Sequence, residues 1–447
     1  MEFLLDCLLI CPPRDKTQFY HEYPLLGVGY IASSLLKHNI SVEIFDPQSR
    51  NYNIEETITI VKNKKPRIIG LSVIYNSLPI LYKLIEQLKK EYPQGLIVAG
   101  GPQITSDPDI ISKMDVKYGF RGDAENVFAA FCQRIITDAE PDDNTKGMVV
   151  NKEDYLIVNP PALIEDIDTI PFPAFDLYDL KNYENIVFSP HNVFTLTTSR
   201  GCPFNCVFCD KLFQTRYRHN SSEYVLEAMK SLIDNGIKTI DIVDESFTLK
   251  RDRIVDLCEK MIFNGIEISW GCWTRADLLD FDLLVIMKKA GLKRILIGVE
   301  TGNEKLRFTI KKKIPNDQFV KIINYCRELG IITECTFILG HPTETKELMQ
   351  ETIDFAVALN PDYAYFYKLN IVPSSELFEI FKKEQHKDNH LFEDYMLSKE
   401  VYPFYYPDGI DDDYLNYIIK KAYTSFYQKP DRISNINKSS FVKGRFD

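Results

Sequence analysis

The sequence predicts an α/β chain built from two successive βα series, an open doubly wound sheet followed by a partial barrel. Three observations lead there. Residues 3–133 alternate short apolar runs with amphipathic stretches of helical period, the pattern of βαβ units around a parallel sheet. Residues 139–190 lose that regularity, and Pro141, Pro160, Pro161, Pro171 and Pro173 break any long element there. From Val193 to about Leu369 a second series runs through six strands, enough for a (β/α)6 barrel whose active site belongs at the strand carboxyl ends.

In the first series, strands are predicted at 4–11, 41–45, 67–73 and 96–100, and helices at 27–37, 54–62 and 78–91. Such a Rossmann-like sheet takes its ligands beyond the carboxyl ends of its strands. In the second series the strands fall at 193–199, 239–243, 267–273, 294–299, 332–339 and 363–368. The tail is rich in Tyr, Phe, Lys and Asp, with helical spacing near 414–427, and either caps the barrel mouth or forms a surface helix. This divides the 447 residues into a domain at 1–138, a linker at 139–190, a barrel at 191–375 and a small, mainly helical region at 376–447. That length exceeds what one hydrophobic core usually supports.

Net charge of −11 opposes a general nucleic-acid partner, because phosphate backbones are held mainly by clustered Lys and Arg. No apolar run is long enough to span a bilayer. The first ten residues carry Glu2 and Asp6 and lack the basic start of a signal peptide, so a reducing cytoplasm is the expected setting. Of ten cysteines, Cys7, Cys11, Cys132, Cys258, Cys272, Cys326 and Cys335 lie in or beside apolar stretches and read as core thiols.

The other three, Cys202, Cys206 and Cys209, follow the first barrel strand with C-x3-C-x2-C spacing. Three thiolates on one short loop can each bind one iron of a cubane and leave the fourth iron open to a small ligand. A structural zinc site wants a fourth Cys or His close by, and His219 lies beyond a polar segment. Gly201 and Pro203 suit the turning backbone that lets the sulfurs approach one another.

This segment resembles the signature of the radical S-adenosylmethionine (SAM) superfamily, including the aromatic Phe208 before the last cysteine. The resemblance implies a [4Fe–4S] cluster on Cys202, Cys206 and Cys209, SAM chelated to the open iron, and Phe208 against the adenine. Asp244 and Glu245 end the second barrel strand, where the family meets the SAM ammonium; the bland alternative is a carboxylate pair opening a loop. Gly298, Glu300, Thr301 and Gly302 are similar to its G-x-E-S-G turn, with the Glu300 carboxylate facing ribose hydroxyls. Arg275 ends a segment similar to W-x-x-x-x-R and either meets the SAM carboxylate or a substrate anion, or forms a structural ion pair. Residues 337–345 are similar to F-x-x-G-x-P-x-E-T and contribute Leu339 to the expected SAM contacts. His341 in that segment is either catalytic or a loop histidine without a role.

The first domain resembles the cobalamin-binding domain of one radical SAM subfamily. Pro24, Leu25 and Gly27 match its P-L-G segment, Ser72 and Val73 end a strand, Gly100, Gly101 and Pro102 form its Gly-Gly-Pro turn, and Gly122, Asp123 and Glu125 are similar to its R-G-E-G-E turn. Bare glycine backbone suits contact with a flat corrin. Gln103 stands where the subfamily often has His, and no Asp-x-His-x-x-Gly occurs, so Tyr75 and Asn76 are the candidates for the lower face of cobalt. Residues 164–177 are similar to the subfamily's L-P-x-P-A-x-D-L connection.

By this resemblance the expected activity is methyl transfer from SAM, through methylcobalamin, to an unactivated carbon or to phosphorus of a small molecule. A second SAM would be cleaved to the radical that removes a substrate hydrogen. The same two domains also serve radical cyclisation, ring contraction or oxidation without net methylation, and a cobalamin sensor is the non-enzymatic alternative. Flavodoxin or ferredoxin is the implied electron donor. Lys211, Arg216 and Arg218 are candidate pocket residues, though surface charge explains them as well.

Overall fold

In the computed structural model the first apolar run becomes β1 (Leu5–Ile10), and burial on both its faces explains why it lacks polar alternation. The structure describes residues 3–13, 24–152, 154–179, 183, 193–210, 216–372, 374–384 and 405–428. These fall into two compact units, one within residues 1–183 and one within 184–447 apart from short segments.

The first unit continues through α1 (Leu26–Lys37), β2 (Val42–Phe45), α2 (Ile54–Lys64), β3 (Pro66–Ser72), α3 (Leu78–Glu91) and β4 (Leu96–Gly100). It then runs through α4 (Pro102–Ser106), α5 (Ile110–Lys113), β5 (Tyr118–Phe120), α6 (Glu125–Ile136), β6 (Met148–Asn151) and β7 (Leu156–Val158). Asn53 and Glu56 start α2 with a reciprocal capping box. The strand order is β2-β1-β3-β4-β5-β6-β7. Leu8, Ile10, Ile69 and Leu71 pack with α2 and α3 on one face, whereas Cys7, Leu9, Ile68 and Val98 pack with α1 and α6 on the other. The sheet is therefore doubly wound, and its order changes direction between β1 and β3, where ligands of such folds bind.

Residues 148–158, expected within an irregular linker, instead extend this sheet as the antiparallel strands β6 and β7. Both runs are three or four residues long and flanked by prolines, too short for a period to register, yet Met148, Val149 and Val150 are buried.

The second unit begins with β8 (Val193–Leu196), the two-residue pair β9 (Ser199–Arg200) and β10 (Arg218–His219), and α7 (Ser222–Asp234). Then follow β11 (Thr239–Ile242), α8 (Arg251–Phe263), β12 (Ser269–Thr274), α9 (Phe281–Lys289), β13 (Leu292–Glu300) and α10 (Glu304–Thr309). The last elements are α11 (Asn316–Glu328), β14 (Ile332–Leu339), α12 (Lys346–Leu359), β15 (Tyr363–Lys368), α13 (Glu376–Glu384) and α14 (Asp412–Tyr427). Six parallel strands lie in the order β15-β14-β13-β12-β11-β8, and among the described residues nothing pairs β15 with β8. The barrel is open.

An open sheet leaves unpaired backbone at its edge. Here α14 covers it with two hydroxyls. The Ala364 N–H donates to the Tyr427 hydroxyl (3.0 Å), which donates to the Ala364 carbonyl (3.1 Å). Tyr423 serves Phe366 in the same way (3.1 and 3.4 Å). Both tyrosines are buried, so the helix predicted near 414–427 acts as a surrogate strand. Tyr427→Phe should cost about 1–3 kcal/mol, because it strands a buried N–H and C=O without a partner. The check is a lower urea midpoint at unchanged slope.

Candidate functional site

The cysteine loop leaves β8 through a braced turn. The Asp244 carboxylate, two residues past the end of β11, accepts from Thr198 N (2.5 Å), Thr198 Oγ1 (2.6 Å), Ser199 N (3.1 Å) and Ser199 Oγ (2.7 Å). Arg253 from α8 donates to the Thr198 carbonyl (3.0 Å) and the Asn220 carbonyl (2.8 Å). Beyond that turn, Val207 N donates to Ile310 O (3.1 Å) and Leu377 N donates to Val207 O (2.9 Å). Both ends of the loop are thus tied to the barrel.

Asp244 was expected to face a ligand ammonium, and here its oxygens are occupied by the chain itself. Its neighbour Glu245 is exposed. Its carboxyl is nevertheless raised to about 7, first by desolvation and then by Asp244 and Asp210.

Cys202 is half-buried, Cys206 buried and Cys209 exposed. Desolvation pushes all three thiols up, including Cys209, which is open by area yet still crowded by protein atoms. Lys312 and Arg275 oppose that shift at Cys206. The Arg275 Nη1 lies 4.0 Å from the Cys206 sulfur, and its guanidinium is 3.6 Å from the centre of the Phe204 ring. Asp277 holds the same guanidinium through two contacts of 3.0 and 2.9 Å. Of the two readings of Arg275, the ion pair is observed, and the same guanidinium also faces the cysteine loop. The C-x3-C-x2-C order of the three thiols suits a cubane, in which each thiolate takes a different iron. Two cations beside the thiols suit an anionic cluster.

The turn after β13 is organised by residues that motif reading missed. Lys312 pairs with Glu300 at 2.6 Å, both nearly buried, and a Cβ on Gly298 would collide with that pair. Glu300 itself has φ +71°, a conformation that costs a non-glycine residue on the order of 1 kcal/mol or more. Arg307, fully buried, holds the turn by donating to the carbonyls of Val299 (3.3 Å), Thr301 and Ile314 (2.9 Å). Burial lowers the Arg307 pKa to about 10. Thr301 is buried against Thr352 (3.1 Å). Lys312 gave no signal in the sequence because it sits in a run of three lysines.

Leu339 is completely buried and its carbonyl accepts from Leu369 N (2.8 Å). Its neighbour Ile338 keeps exposed surface on the opposite face of the strand. Phe208 and His341 are ring neighbours with centroids 5.7 Å apart. His341 is fully buried with neither ring nitrogen hydrogen-bonded, and desolvation lowers its pKa to about 3, so the ring is neutral. The Glu344 carboxylate accepts from the Gly340 and His341 amides (2.7 and 2.9 Å). Lys211 lies outside the described residues. Arg218 is buried on β10, and its backbone pairs with Arg200.

In the first unit the ends of β3, β4 and β5 are knitted together. Val73 N donates to Gly100 O (2.7 Å) and Gln103 N donates to Val73 O (3.2 Å). Gly101, at φ +111°, has room for no Cβ, because Val73 O would lie 2.8 Å away. Gly122 N donates to Thr105 Oγ1 (3.0 Å), and Gly122 bridges Ala162. Asp123 is buried and accepts from Ile164 N (2.8 Å). These glycines and Asp123 are therefore needed by the chain's own packing, a cause distinct from the ligand contact expected of them.

Other predicted residues remain available at that edge. Ser72, Tyr75, Asn76 and Gly100 are partly exposed, and Pro102 opens α4. Gln103 is buried with its Nε2 unpartnered, so the edge has an orphaned donor for a bound group. Gly27 has open space around it, Pro24 is buried, and the Leu25 carbonyl is taken by the Tyr178 hydroxyl (2.8 Å). Glu125 starts α6, where its carbonyl accepts from Ser34 Oγ (2.9 Å).

Comparison with known proteins agrees with both halves. Residues 16–132 match the B12 binding domain and residues 196–356 match the Radical SAM superfamily. An uncharacterized methyltransferase of Pyrococcus horikoshii is 27% identical over 441 residues, 96% of this chain and 93% of that protein. The anaerobic magnesium-protoporphyrin IX monomethyl ester cyclase of Cereibacter sphaeroides is 26% identical over 423 residues, 90% of this chain and 68% of that protein. In fold, the chain is similar to the cobalamin-dependent SAM radical enzyme OxsB, with a TM-score of 0.77 at 17% identity, covering 99% of this chain and 71% of that one. No helix among the described residues is long and apolar enough to cross a membrane. With both domain matches on one chain and the cysteine trio at the first barrel strand, this protein is a radical SAM enzyme of the cobalamin-dependent kind.

Proposed function

We propose that the enzyme transfers a methyl group from SAM, by way of cobalamin, to an unactivated carbon or to phosphorus of a small-molecule or natural-product substrate. The observation that carries this reading is the methyltransferase relative, which is similar across both domains rather than one. When bound, the cluster would supply the electron that cleaves SAM to a 5′-deoxyadenosyl radical, and the corrinoid would supply the methyl group. Cys202, Cys206 and Cys209 would hold the cluster, with Arg275 and Lys312 offsetting its negative charge. Glu300, oriented by Lys312, would accept from ribose hydroxyls, and Phe208 would cover the adenine. The unpartnered Gln103 amide would donate to the corrinoid, beside Tyr75 and Asn76. In this division residues 1–138, with the sheet extension β6–β7, serve cobalamin and 191–375 serve the cluster and SAM. A flavodoxin or ferredoxin would deliver the electron.

The cyclase relatives favour a second reading, radical cyclisation or oxidation without methylation. Product analysis separates the two. Methyl transfer should give S-adenosylhomocysteine and 5′-deoxyadenosine together, in roughly equal amounts, from anaerobically reconstituted protein turning over its substrate. Formation of 5′-deoxyadenosine alone, with a modified but unmethylated product, would establish the second reading instead.

A further inference from the structure

Each strand of the six-stranded sheet turns one face to the helices, and there the carboxyl-terminal halves are sealed. Leu196, Ile242, Cys272, Ile297, Phe337 and Phe366 are each at most 1% exposed. The direction of that face is fixed by Phe366, whose ring meets Tyr423 of α14 at 5.4 Å. Residues on the opposite, inward face behave differently. Val243, Trp273, Leu296, Thr336, Ile338 and Tyr367 all keep exposed surface, and Trp273 is 37% exposed. Below them the face carries Asp241, Arg294 and Glu334, joined as a buried ion-pair network. The inward face therefore has a buried, polar lower layer and a partly exposed, mainly apolar upper layer.

The chain has two tryptophans, and they contrast. Trp270 is completely buried and donates its Nε1–H to the Ala290 carbonyl (2.8 Å). Trp273, 37% exposed, makes no such bond among the described residues and leaves part of a large apolar ring uncovered on the inward face of the sheet. Its layer holds the apolar Val243, Leu296 and Ile338 and the second ring of Tyr367. Of the charged side chains at these strand ends, Arg275 is paired with Asp277 and Glu300 with Lys312, whereas the Glu245 carboxyl stays exposed.

We propose that Trp273 is the platform for an uncharged aromatic ring of the substrate, so that the part of the substrate seated in the barrel is planar and apolar. Ring stacking on Trp adds to the gain from area burial alone, which makes this residue a determinant of specificity rather than of the chemistry. The inference rests on reading this barrel as the reaction site.

The test is equilibrium dialysis of 2-naphthol against the full chain, reconstituted anaerobically with iron, sulfide and cobalamin, with decahydro-2-naphthol as its saturated counterpart. Trp273→Ala should weaken 2-naphthol binding roughly tenfold, Trp273→Phe should stay within about threefold of the parent, and the saturated ring should bind less tightly than the aromatic one. Saturating SAM should leave 2-naphthol bound. Equal affinity in Trp273→Ala, equal binding of the saturated ring, or displacement by SAM would each overturn the proposal. The Phe variant guards against misreading a folding defect in the Ala variant. Cleavage of SAM by the parent protein under dithionite is followed in parallel. Its absence would strike the radical SAM reading, whereas unchanged 2-naphthol binding in Trp273→Ala strikes only the aromatic platform.

Discussion

Serine in place of Cys206 is expected to bring 5′-deoxyadenosine formation down to that of a protein-free control, a loss of roughly a thousandfold or more on the scale of enzymatic accelerations. The iron content of anaerobically reconstituted protein should fall with it. Cys206 is the most enclosed of the three thiols and has Arg275 within 4.0 Å of its sulfur. A serine hydroxyl remains protonated at neutral pH and offers iron a far poorer ligand than thiolate. The control is Cys258→Ala, which removes a thiol from the α8 core and leaves the loop untouched. That variant should keep its iron even if its stability drops. Unchanged iron in Cys206→Ser, or zinc in place of iron in the parent, would refute the cluster assignment.

What the sequence disclosed follows from the range of the forces involved. The parallel strands and their helices are set by local apolar period, so the predicted span 332–339 and the observed β14 coincide. The cysteine trio is legible because all three thiols lie within eight consecutive residues. Lys312 escaped notice because its meaning depends on a contact with Glu300 across twelve positions, in a segment that reads as solvated charge. The strands β6 and β7 escaped because three or four residues cannot display a period, and only the pairing of β6 with β5 and of β7 with β6 defines them. Asp244 shows a different limit: motif position singles out the carboxylate, but not the backbone and hydroxyl donors of Thr198 and Ser199 that the structure gives it. The partly exposed inner face was also out of reach, since a strand sequence reveals alternation but not which side remains open.

Removal of Arg294 is expected to have the largest effect on stability. Its guanidinium, 3% exposed, lies between Asp241 on β11 and Glu334 on β14, with Glu334 at 2.9 Å. Neither carboxylate reaches solvent, so the arginine is the cation that allows both to be buried. Desolvation dominates at Glu334, and its pKa is raised even with the arginine present. Arg294→Ala should therefore cost about 3–5 kcal/mol, the usual penalty for stranding buried charge, seen as a lower urea midpoint for the barrel. Protonation offers the stranded carboxylates a partial escape. Because burial raises the folded-state pKa, the folded protein takes up a proton as pH falls through that pKa, whereas the unfolded chain waits for its lower one. The variant should accordingly recover part of its stability on acidification, and more than the parent does, because the arginine that holds the parent's Glu334 pKa down is gone. Replacing all three residues with apolar side chains of similar volume should restore most of the loss, because it removes the desolvation cost together with the pairing. If Arg294→Ala alone unfolds at the parent's midpoint, the three groups are not a dry, mutually dependent network, and their burial would have to be relieved by water.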